Sequence, residues 1–321
     1  MQVKTPKVSV CVVTYNHEKY IRQCLQSIVD QKTDFDFEVI VGDDCSTDGT
    51  RAIVKEFASK YPDIVKPIFH EKNIGACRNY LCVHKSARGE YIAHVDGDDY
   101  WYADKLQSQI NFMECNKNCS AVYTNAWVVT DSGKIIGVFS SGVKSFFDIS
   151  YLIQQGNFLT NSSTLYRTKF RELILPASGE FIDFLLHIRL AQFGQLGFID
   201  KNLVAYTYQS ANSTILNNHS KARLLIWEAL QDINLPKDKK QTIDKAKYAF
   251  ISDAILFEIL HGNRQHISNW VTLLANNSKQ NTFRLNLKLV FPMFTIISNK
   301  ILSRFRRAVS KGNKAHVFFY K

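Results

Sequence analysis

Acidic residues are absent from the last fifth of this 321-residue sequence. Positions 259–321 hold 11 lysines and arginines but no aspartate or glutamate, whereas the first 258 residues carry 29 residues of each sign. The net charge of +11 is therefore concentrated in one segment. A nucleic-acid binder with positive charge spread over its whole surface is disfavoured. A charge-balanced catalytic or binding body with a cationic tail is favoured.

Long apolar runs and a disulfide or metal-finger pattern are also missing. No stretch approaches the ~20 apolar residues of a membrane-spanning helix, and the start of the chain lacks the pattern of a secretory signal. The seven cysteines are odd in number and have no zinc-finger spacing, so we expect free thiols in a reducing compartment. These absences together predict a cytoplasmic protein.

Two phosphate-binding signatures are absent as well. No G-x-G-x-x-G follows the first apolar run, and no G-x-x-x-x-G-K-[ST] occurs anywhere in the sequence. Binding of a dinucleotide cofactor and hydrolysis of a nucleoside triphosphate by a P-loop therefore lose support. A diphosphate held by a metal ion among carboxylates remains compatible with the sequence.

The sequence does contain a regular alternation of short apolar runs and helical periodicities. Apolar runs predict strands at 8–14, 37–41, 65–69, 91–95 and 121–130, and the segments between them predict helices. This alternation predicts an α/β fold with a doubly wound, mostly parallel sheet flanked by helices. In such a sheet, ligands bind at the carboxyl ends of the strands.

The second half of the sequence predicts more of this sheet, followed by helices. Strands are expected at 158–166 and 196–208 around a helix at 179–194, and helical periodicity continues from about residue 212 to the end. The pattern therefore predicts a division after residue 215, between a sheet-containing domain and a helical, basic C-terminal region.

Carboxylates are clustered directly after the fourth predicted strand. Asp96 and Asp98 lie two residues apart, so an extended backbone directs both side chains to the same side. Carboxylates crowded in this way repel each other unless a cation lies between them. Mg²⁺ or Mn²⁺ takes one or two protein carboxylates together with substrate phosphates. A solvated acidic turn is the alternative, but the position after a buried strand favours a Mn²⁺ or Mg²⁺ site.

Asp43 and Asp44 follow the second predicted strand and point to opposite sides if the strand persists. One of them is expected to cap the following helix or to bond backbone amides. The other is able to accept the ring N–H of a base such as uracil, thymine or guanine. Arg78 is either a structural partner for a carboxylate or a contact to the base or phosphate. Tyr15 is either an aromatic lid or a packing residue.

Three segments carry a resemblance to a known family. Over roughly residues 7–130, the sequence closely resembles the family 2 glycosyltransferases of the GT-A fold, through VSVCVVTYNHEKYIRQCLQSIVDQ, FEVIVGDDCSTDGT and NIGACRNYLCVHKSARGEYIAHVDGDDYW. The resemblance implies a metal-dependent, inverting transfer of a sugar from a nucleotide diphosphate, usually UDP, to an acceptor hydroxyl, with bacterial cell-surface polysaccharide as the expected setting. Residues 1–130 would form the nucleotide-sugar-binding half of a 1–215 catalytic domain, and 131–215 its acceptor-side half.

With this resemblance, nucleotide binding is assigned to six residues near the strand ends, Thr14, Tyr15, Asn16, Asp44, Arg78 and Asp96. Within that set, Asp44 matches the carboxylate that contacts the base, and Asp96 matches the one on the ribose side. Asp98 matches the principal metal ligand of the DXD motif. Asp99 matches an extra acid whose role varies in the family.

An inverting transfer also requires a general base, and the resemblance places it at Asp183. The acceptor hydroxyl loses its proton as it attacks the anomeric carbon, and a carboxylate opposite the leaving diphosphate is able to take it. Asp183 lies among apolar residues, a setting that raises a carboxyl pKa and makes a stronger base. Glu180 is the rival base, and a solvated acid in the first turn of a helix is the structural alternative.

One segment departs from the family pattern. Many members carry an arginine and a histidine in a Y-R-x-H pattern, where this sequence has Tyr206, Thr207, Tyr208 and Gln209. Contacts to the diphosphate or metal would then come from Gln209 or Asn212. Two rival functions are a nucleotidyltransferase, which needs a basic glycine-rich loop after the first strand, and a nucleotide-sugar-binding protein with weak or no activity.

The basic C-terminal region 216–321 ends in a segment, 284–321, that interleaves Phe, Leu and Ile with Arg and Lys. One interpretation is an interfacial helix on an anionic membrane surface. The other is a helix packed on the catalytic body with its basic face in water. Nucleic acid is not an expected partner. Membrane binding would suit a lipid-linked glycan acceptor, with the protein peripheral on the inner face of the cytoplasmic membrane. The expected partners are a nucleotide-sugar donor and a glycan or lipid-linked glycan acceptor.

Overall fold

The structure, a computed structural model, describes residues 5–208, 219–234, 240–260, 264–277 and 316–319. They belong to two compact units, one within Met1–Asn217 together with His316–Lys321 and the other within Asn218–Ala315. The polar strand ends singled out above all lie in the first unit.

A single large sheet forms the centre of the first unit. Its strands are β1 (Val8–Thr14), β2 (Phe37–Asp43), β3 (Val65–Phe69), β4 (Tyr91–Asp96), β5 (Tyr100–Trp101), β6 (Cys119–Val129), β7 (Ile135–Ser140), β8 (Phe146–Phe147), β9 (Leu165–Arg167), β10 (Gln195–Thr207) and β11 (His316–Phe319). The helices of this unit are α1 (Ile21–Val29), α2 (Thr50–Lys60), α3 (Ala76–Ser86), α4 (Lys105–Cys115), α5 (Ile149–Gln155), α6 (Arg171–Ile174) and α7 (Asp183–Gln192).

The strand order is β11-β7-β6-β9-β4-β1-β2-β3, and β10 pairs with β5, β6 and β8. β4, β1, β2 and β3 are parallel neighbours, because a helix connects each of the first three strands to the next one. β9 runs antiparallel to both β4 and β6. The predicted α/β fold, with a mostly parallel sheet flanked by helices, is confirmed.

β1 is buried along almost its whole length, which explains its nearly continuous apolar sequence. Val8, Val10 and Val12 are fully buried, as is typical of a parallel strand covered on both faces. The helix that follows, α1, buries one stripe at helical spacing, formed by Ile21, Cys24, Leu25 and Ile28. This packing gives the polar strand ends a rigid support.

Two predictions of secondary structure are wrong. The segment 158–166 forms a 3-10 turn at Asn161–Ser163 and only then the short β9, instead of one strand. The Ser163 hydroxyl donates to the Thr160 carbonyl, because hydroxyl side chains compete with sheet pairing through local hydrogen bonds. In addition, β11 is a strand paired in parallel with β7, where helical periodicity had predicted a helix.

The second unit contains, in its described residues, α8 (His219–Gln231), α9 (Lys240–Leu260) and α10 (Arg264–Asn277). The rings of Trp227 and Trp270 meet edge to face with centroids 6.4 Å apart, and Arg223 pairs with Asp253 at 3.0 Å. Within the described ranges, every helix is too short or too polar to cross a bilayer. Apart from β11, the basic segment 284–321 lies outside the described residues, so its binding to membranes stays a prediction.

Candidate active site

The carboxyl ends of β1, β2 and β4 lie side by side at one edge of the sheet. Thr14 is paired in register with Asp43, and Val13 is paired with Asp96. The polar corners that follow these three strands therefore adjoin one another, as expected where ligands bind in parallel sheets.

Asn16 ties the corner after β1 to the corner after β2. It has a positive φ of 54°, which asparagine tolerates better than most residues. Its backbone N–H donates to the Ser46 hydroxyl at 3.0 Å, and its side-chain oxygen accepts from the Thr47 N–H at 2.8 Å. The Thr14 hydroxyl is buried and finds no hydrogen-bond partner in the part of the chain that the structure describes, and Tyr15 is half-buried. Nucleotide contacts by these residues stay predictions.

Asp43 and Asp44 are both buried, and both hold neighbouring loops. Asp44 accepts hydrogen bonds from the backbone N–H groups of Ile74 at 2.7 Å and Gly75 at 2.9 Å, so it pins the loop before α3. Asp43 pairs with Arg51 at 2.6 Å. The two aspartates thus share the structural role that was expected of one of them. A contact from Asp44 to a base would use its remaining lone pairs and stays a prediction.

Arg78 lies in the first turn of α3 with an exposed side chain. Within the described part of the chain it forms no salt bridge, and its contact with a nucleotide stays a prediction. Its neighbour Cys77 contacts the backbone N–H and carbonyl of Phe181, each at 3.4 Å from the sulfur. α3 therefore links the nucleotide side to the segment just before the predicted base.

Asp96 ends β4 and is held from behind by His94, whose Nε2 lies 3.1 Å from Asp96 Oδ1. Burial opposes ionisation, but the His94 hydrogen bond and nearby positive charge lower the pKa of Asp96 below its usual value. Its side chain is 39% exposed, so a charged oxygen is open to a ligand. A Cβ on the next residue, Gly97, would lie 2.8 Å from Thr14 Oγ1 and 3.0 Å from His17 Nδ1, so glycine permits the close approach to the β1 corner.

Asp99 is structural, whereas Asp98 is only partly buried. Asp99 accepts hydrogen bonds from the Ser162 hydroxyl at 2.5 Å and from the Thr207 N–H at 2.8 Å. Burial, together with the charges of Asp98 and Asp96, raises the pKa of Asp99 well above its usual value. The extra acid of the motif therefore joins the β4 corner to the end of β10.

Asp183 begins α7, and its side chain is 19% exposed. Its Oδ1 accepts hydrogen bonds from Asn157 Nδ2 at 3.0 Å and from the Phe184 N–H at 2.8 Å. Burial raises the pKa of Asp183 to about 7, against these hydrogen bonds and with the help of the charge on Asp96. A pKa near the working pH suits a general base. Glu180, the rival base, is exposed, and the assignment of the base to Asp183 stays a prediction.

His187 lies one turn after Asp183 and is buried. Its Nδ1 is 2.9 Å from the Tyr123 hydroxyl. Among the described residues its Nε2 has no hydrogen-bond partner, and it lies 3.8 Å from Asp183 Oδ2. Burial lowers the pKa of His187 to about 3, so the ring is neutral at physiological pH. Sequence reasoning missed this residue, although its i, i+4 spacing from Asp183 was a usable signal.

The buried Tyr206 hydroxyl responds to carboxylates from two parts of the site. Burial raises the pKa of this hydroxyl, and the negative charges of Asp99, Asp98, Asp96 and Asp183 raise it further. The β4 corner and the start of α7 are therefore close enough for their charges to act on the same group, although more than 80 residues separate them in the sequence.

Thr207 occupies the position where the family pattern has an arginine. Its backbone N–H bonds Asp99, and its hydroxyl donates to the Asp98 carbonyl at 2.6 Å. It therefore fixes the β4 corner from the end of β10. Gln209 and Asn212, the predicted substitutes for the missing arginine and histidine, lie outside the described residues.

Ser162 was missed because 158–166 was expected to be a strand. Its hydroxyl accepts from the Asp96 N–H at 3.0 Å and donates to the Asp99 carboxylate, and its carbonyl accepts from Trp101 Nε1 at 2.9 Å. No local pattern in the sequence indicates these contacts, because its partners lie more than 60 residues away.

The donor set at this edge fits a cation shared with a ligand. Within the described ranges, no three or more His, Cys, Asp or Glu side chains are placed to enclose a metal ion. Asp96 and Asp98 are partly exposed carboxylates at one corner. Mg²⁺ in nucleotide sites takes one or two protein carboxylates and completes its coordination with phosphates and water. The residues therefore suit an open site and not a closed metal centre.

Comparison with known proteins identifies the family. The model of "Glycosyl transferase family 2" matches residues 9–174, more than half of the chain. The chain belongs to glycosyltransferase family 2. Rv1520, an uncharacterized protein of Mycobacterium tuberculosis, is 32% identical to this glycosyltransferase family member over 201 residues, which cover 62% of the chain and 58% of Rv1520. The chain thus spans less than two thirds of the length of that relative.

Two further likenesses extend over more of the chain. TuaG of Bacillus subtilis, whose name assigns it to teichuronic acid biosynthesis, is 28% identical over 246 residues, covering 76% of this chain and 95% of TuaG. The structure of Staphylococcus aureus TarS 1–349 in complex with UDP-GlcNAc matches with a TM-score of 0.63 and 22% identity, covering 94% of this chain and 92% of that one. The GT-A-type fold implied for this family 2 glycosyltransferase is thereby confirmed.

Proposed function

We propose that this family 2 glycosyltransferase transfers a sugar from a UDP-sugar donor to an acceptor hydroxyl, with inversion at the anomeric carbon, in the synthesis of a cell-surface glycan. The observation that carries the proposal is a run of contacts from the β4 corner to the start of α7. His94, which holds Asp96, packs against the Tyr80 ring, and that ring contacts Phe181, two residues before Asp183. The name of TuaG supports the class of product, and the ligand in the TarS structure supports the donor.

Asp183 acts as the general base on the acceptor side. As the acceptor oxygen bonds to the anomeric carbon, its proton passes to the Asp183 carboxylate, and the bond from that carbon to the diphosphate breaks to release UDP. Asn157 and the Phe184 N–H hold Oδ1, which leaves Oδ2 to receive the proton. The pKa of about 7 makes this carboxylate more basic than an ordinary aspartate.

The donor side holds the nucleotide and its diphosphate. Asp96 presents a charged oxygen toward the ribose, and Arg78 offers an exposed guanidinium to the base or the phosphates. Asp98, with Asp96 beside it, would hold Mn²⁺ or Mg²⁺, which when bound supplies positive charge to the leaving diphosphate. A base contact from Asp44 belongs to the same proposal.

The test is a donor panel with matched variants of the two rival bases. Purified protein is given nucleotide sugars with Mn²⁺, turnover is followed by UDP release, and the anomer of the product is read by NMR. We expect Asp183→Asn to lose about 10²–10⁴-fold in turnover while binding UDP with wild-type affinity in calorimetry. The exposed Glu180→Gln is expected to keep near-normal turnover.

Three outcomes would count against this proposal. Loss of turnover in Glu180→Gln, with Asp183→Asn active, would move the base to Glu180. A product with the donor's anomeric configuration would exclude inversion. Tight UDP-sugar binding by a wild-type protein that shows neither transfer nor donor hydrolysis would favour the rival reading of an inactive nucleotide-sugar-binding protein.

A further inference from the structure

A row of buried polar rings lies behind Asp96 and has no part in the chemistry described above. His94 Nε2 is 3.1 Å from Asp96 Oδ1, His94 Nδ1 is 3.1 Å from His84 Nε2, and His84 Nδ1 is 2.9 Å from the Tyr166 hydroxyl. His94 and His84 are fully buried, and Tyr166 is 1% exposed. β4, α3 and β9 each contribute one ring, so the row crosses three elements.

One order of protons that satisfies every atom of the row runs toward Asp96. A carboxylate only accepts, so His94 Nε2 carries the hydrogen that is donated to Asp96. His94 Nδ1 then accepts from His84 Nε2, and His84 Nδ1 accepts from the Tyr166 hydroxyl. Burial and the neighbouring His94 lower the pKa of His84 well below its ordinary value, which is consistent with a neutral ring. The row is thus a directed hydrogen-bond chain that ends on Asp96.

Besides the hydrogen bonds, ring packing also holds the two histidines in place. Tyr80 stacks on His84 with centroids 3.9 Å apart and an interplanar angle of 13°, and its ring lies 4.6 Å from that of His94. Its other contact is edge to face with Phe181, at 5.6 Å. The chain therefore has little freedom to turn, and the oxygen of Asp96 that it holds has little freedom either.

The sequence position of His94 argues against a purely structural role. It interrupts the apolar run of β4 at a site whose neighbours Ala93 and Val95 are fully buried. Burying two imidazoles costs free energy unless each polar atom finds a partner. Here the required partners include Asp96, which is 39% exposed at the site. The buried His94 is thus hydrogen-bonded to Asp96, the carboxylate that faces the site.

We infer that His94 is a positioning residue for donor binding: supported by His84 and Tyr166, it fixes Asp96 in the orientation that receives the donor's ribose. The inference rests on the proposed function, because it takes Asp96 as a nucleotide contact. It adds three residues, none of which touches the donor, to the determinants of donor affinity.

The test separates donor affinity from the chemical step. Calorimetry gives the Kd for UDP with Mn²⁺, and steady-state rates give KM and kcat for the donor. We expect His94→Leu to raise the UDP Kd and the donor KM about tenfold or more, the effect of losing one hydrogen bond to a charged group, with kcat changed less than about threefold at donor saturation. His94→Gln, whose amide both donates and accepts, is expected to restore most of the affinity.

Tyr166→Phe removes only the hydroxyl at the far end of the chain and keeps the ring, so it serves if His94→Leu fails to fold. We expect its UDP Kd to rise about two- to fourfold, since one more remote hydrogen bond is lost. Tyr91→Phe is the matched control. It removes the hydroxyl of another buried tyrosine, at the opposite end of β4, which bonds Glu114 and Arg167 and lies outside the chain of rings, and its UDP Kd should stay at the wild-type value.

The outcomes distinguish this inference from the proposed function. If folded His94→Leu and Tyr166→Phe bind UDP like the wild type, the positioning role is overturned while the glycosyltransferase proposal stands. If His94→Gln is as impaired as His94→Leu, ring packing and not the hydrogen bond supports Asp96, and the inference is again wrong. If the wild type binds no UDP and turns over no UDP-sugar, the proposed donor fails, and the inference fails with it.

Discussion

The donor side and the acceptor side of the site hold their carboxylates in opposite ways. On the donor side, Asp96 is hydrogen-bonded by a buried histidine and its pKa is lowered, so it stays charged. On the acceptor side, burial dominates over two hydrogen bonds and raises the pKa of Asp183 to about 7. Two carboxyl groups whose environments push their pKa values apart can divide the work of one site. A fixed charge binds, and a group that titrates near neutrality exchanges a proton.

On the donor side, the largest expected effect comes from removing the charge of Asp98. Asp98→Asn loses the carboxylate that would hold a divalent cation, and we expect turnover with Mn²⁺ to fall about 10²–10³-fold, as when one electrostatic stabiliser of a transition state is removed. Steady-state rates and calorimetry of UDP with and without Mn²⁺ measure this. Asp104→Asn, at an exposed acid just before α4, is the control and should be unaffected. Turnover that is insensitive both to Asp98→Asn and to chelators would exclude a metal on the donor side.

A second large effect concerns stability and has an unusual sign. In the folded protein the pKa of Asp183 is raised from an ordinary aspartate's 3.8 to about 7. Its charged form therefore costs stability increasingly from about pH 4 upward and fully above pH 7. Asp183→Asn should therefore raise the free energy of unfolding at pH 8, by at most about 4 kcal/mol at 1.36 kcal/mol per pKa unit. Melting temperatures from pH 5 to pH 8 measure the gain, which should grow with pH. A variant less stable than the wild type at pH 8 would show that Asp183 is not strained in its charged form.

The donor side makes the opposite prediction. Asp44→Ala leaves the backbone N–H groups of Ile74 and Gly75 without their acceptor, so we expect it to destabilise the fold by about 2–3 kcal/mol. Denaturant unfolding measures this, with the exposed Asp63→Ala as the control. Unchanged stability, together with a large loss of UDP affinity, would mean that Asp44 contributes more to binding the nucleobase than to holding the loop before α3.

The smallest expected effect is a shift in the pH dependence of activity, which tests the acceptor-side base. Activity should fall about tenfold per pH unit below pH 7, because the protonated base cannot accept a proton. Asn157→Ala removes a hydrogen bond that favours the charged form of Asp183, so the acidic limb of the kcat/KM profile should move upward by about one pH unit. A wild-type limb near pH 4 would contradict the raised pKa, and an unmoved limb in the variant would remove Asn157 from its causes.

Sequence and structure agree best on the donor half. The apolar runs of β1 to β4 are local signals of buried parallel strands, and their polar ends had to meet at one edge of the sheet. The sequence also places Asp183 correctly at the start of a helix. The prediction of one strand over 158–166 was wrong, because the hydroxyl residues of this segment favour local turns.

What sequence reasoning missed are contacts between residues distant in the chain. Ser162 bonds the Asp96 N–H and the Asp99 carboxylate, both more than 60 residues away, and His84 meets Tyr166 across 82 positions. No periodicity records such pairs. The double structural use of Asp43 and Asp44 was equally out of reach, because a carboxylate that bonds amides and one that bonds a base look identical in sequence.

The position of α3 has a consequence for anyone who would re-engineer donor choice. Its entry loop is fastened by Asp44, its first turn touches the backbone of Phe181, and its last turn supports His94 through His84. A change made on this helix to suit a new nucleobase would therefore also alter the support of Asp96, through His94, and the segment before Asp183, through Phe181. Substitutions there should combine non-additively, and libraries that vary α3 together with β4 and the Phe181 loop should outperform libraries that vary any one of them.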